Sequence, residues 1–449
     1  MAQLRTSLSP LNSERSELGK VCSKIATWAL AACMTANAVA ACPSEQVVPS
    51  GGSFAIRCAK ALVCELEGRQ TMDHALLLVS DGRIVAIGDV DELELPEGCE
   101  VFDAGSSWLM PGMIDLHSHV GGPRGYNDMV FQVNPGLRVS ATARAGNGRL
   151  KRPIAAGITT ILYIPGSGTN IGGQGVLMKT LEGTFEEALV RDPGSMKVAQ
   201  GDNPKRWGYG MQRALMNHHI RYSLRQGKAY AERWEAFEGG ETNEAPERHI
   251  NLDIYRDLNA EKISISTHTQ YFQVVLATLR ILRMEFGFPT FIDHGSFDSW
   301  RLGKVAKKIG VPAILGPREV MWPTSSSRFP AAQDGAAQGC AAGFQEQGVE
   351  LIGFNTDAPV IPQEELPLQS AMGVRYGMDN SAMAAVRGLT IVPAVVCGQG
   401  DELGSLEAGK QADLVILDGD PSDPRTSIRY VWIAGKLAYD AEEQEVRGW

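Results

Sequence analysis

From Pro111 to about Gly404, short apolar runs of strand character alternate with longer helical stretches, and this alternation constrains the fold more than any other feature of the chain. A strand, a helix and another strand in succession are the rhythm of βα units, which build a parallel sheet or a closed barrel. Candidate strands fall at Gly112 to His119, Ile158 to Ile164, Val176 to Lys179, Met196 to Gln200, Ile263 to His268, Thr290 to His294, Ala313 to Leu315 and Leu351 to Asp357. Eight strands over roughly 290 residues match an α/β fold of the (β/α)8 TIM-barrel type. The stretch Glu232 to Arg248, with Gly239-Gly240 and many charges, reads as a solvated helix and loop insertion.

Both flanks have a different texture. Phe54 to Val101 alternates apolar runs with turn signals (FAIRCAKALVCE, HALLLVSDGRIVAIGDV, CEVFDAG), the pattern of short antiparallel strands, and Ser80-Asp81-Gly82-Arg83 marks a hairpin. GKQADLVILDGDP and SIRYVWIAGKLAYD have the same character near the other end. Neither end alone supplies enough strands for a core of its own. Together they are expected to form one small β-sandwich from residues 54–110 and 405–449, flanking a barrel of residues 111–404.

The balance of 44% apolar to 21% charged residues is that of a globular chain, and a formal charge of -10 argues against a nucleic-acid partner. Residues 1–41 read as an export leader, because Arg15, Lys20 and Lys24 precede an apolar stretch from Ile25 to Ala41 that ends in small residues. The expected location is therefore the bacterial periplasm or envelope, or the medium. The alternative is a disordered or buried N-terminal helix. Cys33 and Cys42 follow Leu30-Ala31-Ala32 and Val39-Ala40-Ala41, which resemble the lipobox of bacterial lipoproteins and imply a lipid anchor at one of them. Cys58, Cys64, Cys99, Cys340 and Cys397 lack CxxC spacing, so they read as buried thiols, with a Cys58 to Cys64 pairing open outside the cytoplasm.

In a TIM barrel the chemistry sits at the C-terminal ends of the strands. His117, His119, His268, His294 and Asp357 all fall at such ends. Two histidines two residues apart on a strand project to one face, about 7 Å apart at Cα, near enough to share a cation. Neutral imidazoles with a carboxylate suit zinc or a similar divalent ion, which makes bound water acidic enough to supply hydroxide near neutral pH.

The run LMPGMIDLHSHV, whose Asp115, His117 and His119 form its chemical part, resembles the HxH strand of the amidohydrolase superfamily. ADLVILDGDP resembles that superfamily's C-terminal strand. GITTILYIPG, STHTQ at His268, DHG at His294 and NTDAP at Asp357 bring the resemblance to the imidazolonepropionase- and prolidase-like branch, over residues 54–449. The resemblance implies that His117 and His119 hold one metal, that His268 and His294 complete the site, and that Asp357 is both ligand and proton carrier. It also implies that a binuclear site would need a carboxylated lysine on the fourth strand. Lys197 in SMKVAQGDNP is the candidate, and a surface lysine at a strand edge is the alternative, which would leave one metal.

The expected activity is hydrolysis of a carbon–nitrogen bond in an amide, cyclic amide or dipeptide-like small molecule by a metal-bound hydroxide. The alternatives are a prolidase-like or acyl-amino-acid peptidase, a deaminase, and a non-catalytic binding or assembly protein on the same fold. A homo-oligomer is expected. The glycine-rich loop Pro165 to Gly175 lacks a phosphate-binding lysine, so Asn170 or Gln174 could bind a substrate amide or carboxylate, unless the loop is only a tight connection. Tyr163 is a further candidate for a substrate carboxylate. His218 and His219, adjacent in a helical stretch, diverge by about 100° and cannot both enter one site.

Overall fold

The computed structural model describes residues 47–201, 203–207, 212–317, 320–321 and 338–448. The leader expected over residues 1–41, with Cys33 and Cys42, lies outside the described residues.

The chain enters through five strands, β1 (Phe54–Leu62), β2 (Thr71–Ser80), β3 (Arg83–Asp89), β4 (Glu100–Asp103) and β5 (Trp108–Pro111). The predicted hairpin joins β2 to β3. Asp81 and Gly82 take φ of 50° and 74°, as a two-residue turn matched to strand twist requires. A Cβ at Gly82 would lie 2.6 Å from the Ala434 carbonyl oxygen, so close packing as well as φ demands glycine there.

Eight strands of the central sheet follow: β6 (Met113–Ser118), β7 (Ile158–Tyr163), β8 (Ile171–Lys179), β9 (Leu189–Ala199), β10 (Ser264–Thr269), β11 (Thr290–His294), β12 (Ala313–Leu315) and β13 (Ile352–Phe354). They are hydrogen-bonded in sequence order, giving a nearly closed barrel. Between β13 and β6 there is no ladder. The backbone of Gly388 and Leu389 lies in that gap, accepting from Phe354 N and Ile114 N, and a bridge between Ser118 and Ala358 spans it nearer the strands' C-terminal ends.

One strand departs from the expected parallel order. β8 runs antiparallel to both β7 and β9. The connections 164–170 and 180–188 are too short for the crossover of a dozen or more residues that a parallel neighbour needs. The expected loop Pro165 to Gly175 is shorter for the same reason, since Ile171, Gly173 and Gln174 already pair with Val198, Lys197 and Met196. Its glycines serve close backbone approach within a strand: a Cβ at Gly173 would meet the Leu137 carbonyl oxygen at 2.5 Å.

After the barrel, β14 (Leu414–Leu417), β15 (Ile428–Ile433) and β16 (Lys436–Asp440) return to the first sheet, in the order β16-β15-β14-β5-β1-β2-β3 with β4 on β1. β1 divides its free edge, pairing with β4 along Phe54 to Arg57 and with β5 at Lys60 and Ala61. The divided sheet encloses one apolar core, in which Phe54, Ile56 and Leu77 from one end of the chain pack with Leu414, Ile416 and Trp432 from the other. Cys58 and Cys64 are free thiols in separate cores, which corrects the pairing left open above. Six positions of largely extended chain separate them by close to 20 Å at about 3.3 Å per residue. A disulfide tolerates no more than about 7 Å between Cα atoms.

Barrel and sheet are joined by a buried ion pair. Lys179 Nζ on β8 lies 2.6 Å from Asp413 Oδ2, with side chains 4% and 6% exposed. The other oxygen, Oδ1, accepts from Ala434 N at 2.8 Å. Lys179→Met strands a buried carboxylate and is expected to cost about 3–5 kcal/mol in chemical denaturation of the full chain. Lys307→Met, which breaks the exposed 3.3 Å pair with Glu350, is expected to cost under about 1 kcal/mol.

Candidate metal centre

The barrel brings together residues far apart in the chain. β6 carries Asp115 and His117 and is followed at once by His119; β9 carries Lys197, β10 carries His268, β11 ends on His294, and the segment after β13 carries Asp357. All seven are buried.

Each of three imidazoles has its Nδ1 tied to an acceptor. His117 Nδ1 lies 2.7 Å from Asp293 Oδ2, His119 Nδ1 lies 2.9 Å from the Ile164 carbonyl oxygen, and His294 Nδ1 lies 2.8 Å from the Gly316 carbonyl oxygen. An acceptor there holds the proton on Nδ1 and leaves the Nε2 lone pair to point elsewhere. The three Nε2 atoms converge on one carboxylate. Asp357 Oδ1 is 3.1 Å from His117 Nε2 and 3.3 Å from His119 Nε2, and Oδ2 is 4.0 Å from His294 Nε2. His268 joins through Nδ1, 2.8 Å from His294 Nε2, while its own buried Nε2 has no hydrogen-bond partner among the described residues.

This donor set fits a divalent cation. Ligand atoms at about 2.0–2.2 Å from one ion lie some 3–4 Å from each other. Donor atoms of His117, His294 and Asp357 all fall within 4.8 Å of one another. Electrostatics point the same way. Burial lowers the pKa of His119 and His268, and burial followed by the charge of His117 takes His294 down to about 4. Burial opposes ionisation of Asp357 too, yet the neighbouring His117 holds it well below the usual carboxylate range. Neutral imidazoles beside an ionised carboxylate are the protonation state that cation binding requires. His117 is the exception: burial works against its charge, but Asp293 lifts it to about 9, so one proton stands in the cluster where cation binding would release it.

Lys197 is fully buried and faces this cluster, with Nζ 3.4 Å from His117 Nε2 and 3.5 Å from Asp293 Oδ2. It does not lie at an exposed strand edge. Gly201, just beyond β9, packs against His268, and a Cβ there would lie 2.8 Å from the ring's Cδ2.

Sequence reasoning missed Asp293. It is the D of the DHG run, and strict alternation along β11 would turn it away from the face His294 uses. Instead its carboxylate reaches under His117 and also accepts from Ser266 Oγ at 2.8 Å and Asn355 Nδ2 at 3.2 Å. Burial alone would raise its pKa, but His117 and Lys197 hold it far below the usual range. The departure from alternation is local: His294 has φ of 78°, a left-handed value rare outside glycine. Tyr126 was also missed. Its ring stacks on His119 at 5.2 Å between centroids, and no motif in the surrounding loop marks it.

The three substrate-binding candidates lie as follows. Asn170 Nδ2 donates to the Ala199 carbonyl at 2.8 Å, and Tyr163, buried beside Tyr126, shares a 3.0 Å hydrogen bond with Thr142 Oγ1. Gln174 pairs with Met196, which packs outside the barrel, and donates to the Pro135 carbonyl at 2.9 Å. The fold therefore does not bring Gln174 to the metal centre. His218 and His219 lie on the long helix Arg213–Glu238, whose exposed His218 stacks on Tyr222.

If Asp293 orients His117, Asp293→Asn removes the charge and leaves a single acceptor oxygen where His117 and Ser266 donate to one carboxylate oxygen and Asn355 to the other. Competition with a chelator should then show divalent-metal retention weakened by about 10- to 100-fold.

The amidohydrolase family model matches residues 367–439. Amidohydrolase tasK of Hapsidospora irregularis is 26% identical over 399 residues, covering 81% of this chain and 40% of that protein, so the chain spans less than half the length of this relative. Imidazolonepropionase of Sphingopyxis alaskensis is 22% identical over 379 residues, covering 78% of this chain and 88% of that enzyme. Among solved structures, an amidohydrolase from Thermotoga maritima superposes with a TM-score of 0.74 at 28% identity, covering 86% of this chain and all of that one. With the histidine and aspartate cluster at the barrel's strand ends, these likenesses make the chain similar to the amidohydrolases, imidazolonepropionases among them, in fold and in part of its sequence.

Proposed function

We propose that this protein is a metal-dependent hydrolase of carbon–nitrogen bonds in a small amide, cyclic amide or dipeptide-like substrate. The observation that carries the reading is the convergence of His117, His119 and His294 Nε2 on the Asp357 carboxylate. His117, His119, His268, His294 and Asp357 would hold the metal, for which zinc suits the nitrogen-rich donors. When bound, such a cation polarises a carbonyl and makes a nearby water more acidic.

The chain's own residues supply the rest. Asp357, ionised in the resting site, is suited to take a proton on a carboxylate oxygen from attacking water and return it to the leaving nitrogen. Asp293 keeps His117 in one tautomer and orientation. The Tyr126 ring covers His119 and limits its exposure to water.

Lys197 is the proposed bridge for a second cation. Burial lowers its pKa, which favours the neutral amine that carboxylation needs, and the resulting carbamate would give the site an anionic oxygen donor. The segment read as a leader carries the further proposal of an exported protein, lipid-anchored at Cys33 or Cys42 or free, which cell fractionation tests. Homo-oligomeric assembly is likewise proposed.

Xaa-Pro dipeptides, N-acyl amino acids and cyclic amides, offered to the purified full chain, should include a substrate whose turnover is lost on chelation and returns with zinc. Metal-free protein as purified, with turnover indifferent to chelators, would overturn the reading. Asp357→Asn is expected to lower kcat by about 10²–10⁴-fold. Lys197→Ala should halve the metal content if the lysine bridges two ions, and unchanged stoichiometry would exclude that role.

A further inference from the structure

Asp115 belongs to the motif that first marks the site, yet its carboxylate does not face the metal centre. It looks sideways across the gap between the first and last barrel strands. Oδ2 accepts from Thr356 Oγ1 at 2.5 Å and from Gln363 Nε2 at 3.1 Å, and Oδ1 accepts from His117 N at 3.0 Å. All three partners are donors, which matches the acceptor-only character of an ionised carboxylate.

Thr356 is the residue before Asp357, and its hydroxyl has two tasks. It donates to Asp115 and accepts from Ala358 N at 3.2 Å. The segment between those bonds is Asp357 itself, with φ of 51°. A non-glycine residue in that region is strained and persists only where its surroundings fix it. Other bonds fix the far side of the turn: His119 N donates to the Ala358 carbonyl at 2.8 Å, and Val360 N to that of Asp357 at 2.7 Å. With no strand ladder closing the barrel here, the Ser118–Ala358 bridge is the backbone pairing that sets the height of Asp357 against His117 and His119, and the Asp115–Thr356 contact is the side-chain tie beside it.

We infer that Asp115 is a positioning residue for Asp357, acting through the Thr356 hydroxyl across the seam between β6 and the segment after β13. One carboxylate thereby ties the histidine strand to the aspartate turn, reinforcing the Ser118–Ala358 bridge. This inference rests on the proposal that Asp357 and the histidines hold a divalent cation.

The test titrates Co²⁺ into metal-free full-length protein and reads affinity together with the visible absorption band of the bound ion, neither of which needs a substrate. Thr356→Val removes the hydroxyl at nearly constant shape and should weaken Co²⁺ by about 10-fold or more and alter the band. Thr356→Ser, which restores the hydroxyl, should return both to within about 2-fold of wild type, judged against the 10- to 100-fold scale of such contacts. Gln363→Leu removes another contact of Asp115 without touching the turn and should also stay near wild type.

A Thr356→Val protein with wild-type affinity and spectrum would overturn the inference, as would Gln363→Leu showing the same loss as Thr356→Val. Thermal melts accompany each titration. If Thr356→Val does not fold, Thr356→Ala is read by the same criteria, and failure of both to fold would show that the hydroxyl supports the barrel as a whole and would overturn the inference. A wild-type chain that takes up no Co²⁺ is a different failure, removing the metal reading and this inference with it.

Discussion

An ionised carboxylate sealed from solvent sets the terms for the whole centre. Asp293 has no exposed surface, and removing such a group from water costs several kcal/mol unless charges and hydrogen bonds replace the lost hydration. The replacements come from four directions: His117 on β6, Lys197 on β9, Ser266 on β10 and Asn355 after β13. Because each partner must meet the same two oxygens, the strands that carry them are fixed relative to one another. The precision of the histidine cluster above is in this sense a consequence of how Asp293 is solvated.

Much of this was legible in the sequence, for reasons that can be named. Metal chemistry of this kind places donors at strand ends, and strand ends are where apolar runs stop. His117, His119, His268, His294 and Asp357 could therefore be found from position alone, and the structure gathers them within one buried cluster. The barrel rhythm was legible because buried parallel strands read as continuous apolar runs. What stayed hidden depended on backbone geometry that composition does not encode. The first half of β8, before the strand read at Val176 to Lys179, looked like a loop because Gly172, Gly173 and Gly175 are turn residues by frequency, whereas here they admit neighbouring groups close to a strand.

Asp293 and Asp115 illustrate a second kind of concealment. Both stand next to or near a histidine that any reader would mark, and both act on something distant in sequence. Asp293 reaches His117 across 176 positions, and Asp115 reaches Thr356 across 241. Periodicity assigns a face to a side chain; it does not say which strand will stand opposite when the sheet closes. The left-handed φ values at His294 and Asp357 add a further break, because each turns the chain away from the alternation a strand would follow.

The divided first sheet has a consequence for how the molecule comes into being. β5 has its antiparallel neighbour in β14, some 300 residues later by position, so a chain made from its N-terminus exposes that edge until the barrel has been synthesised. An unpaired strand edge invites pairing with other chains. Contacts between distant parts of a chain also form slowly, since the intervening loop must close first. The Lys179–Asp413 pair ties the arriving strands to a barrel that already carries its half of the contact. The later strands thus complete the earlier sheet, and molecules truncated before β14 would keep β5 as an open edge.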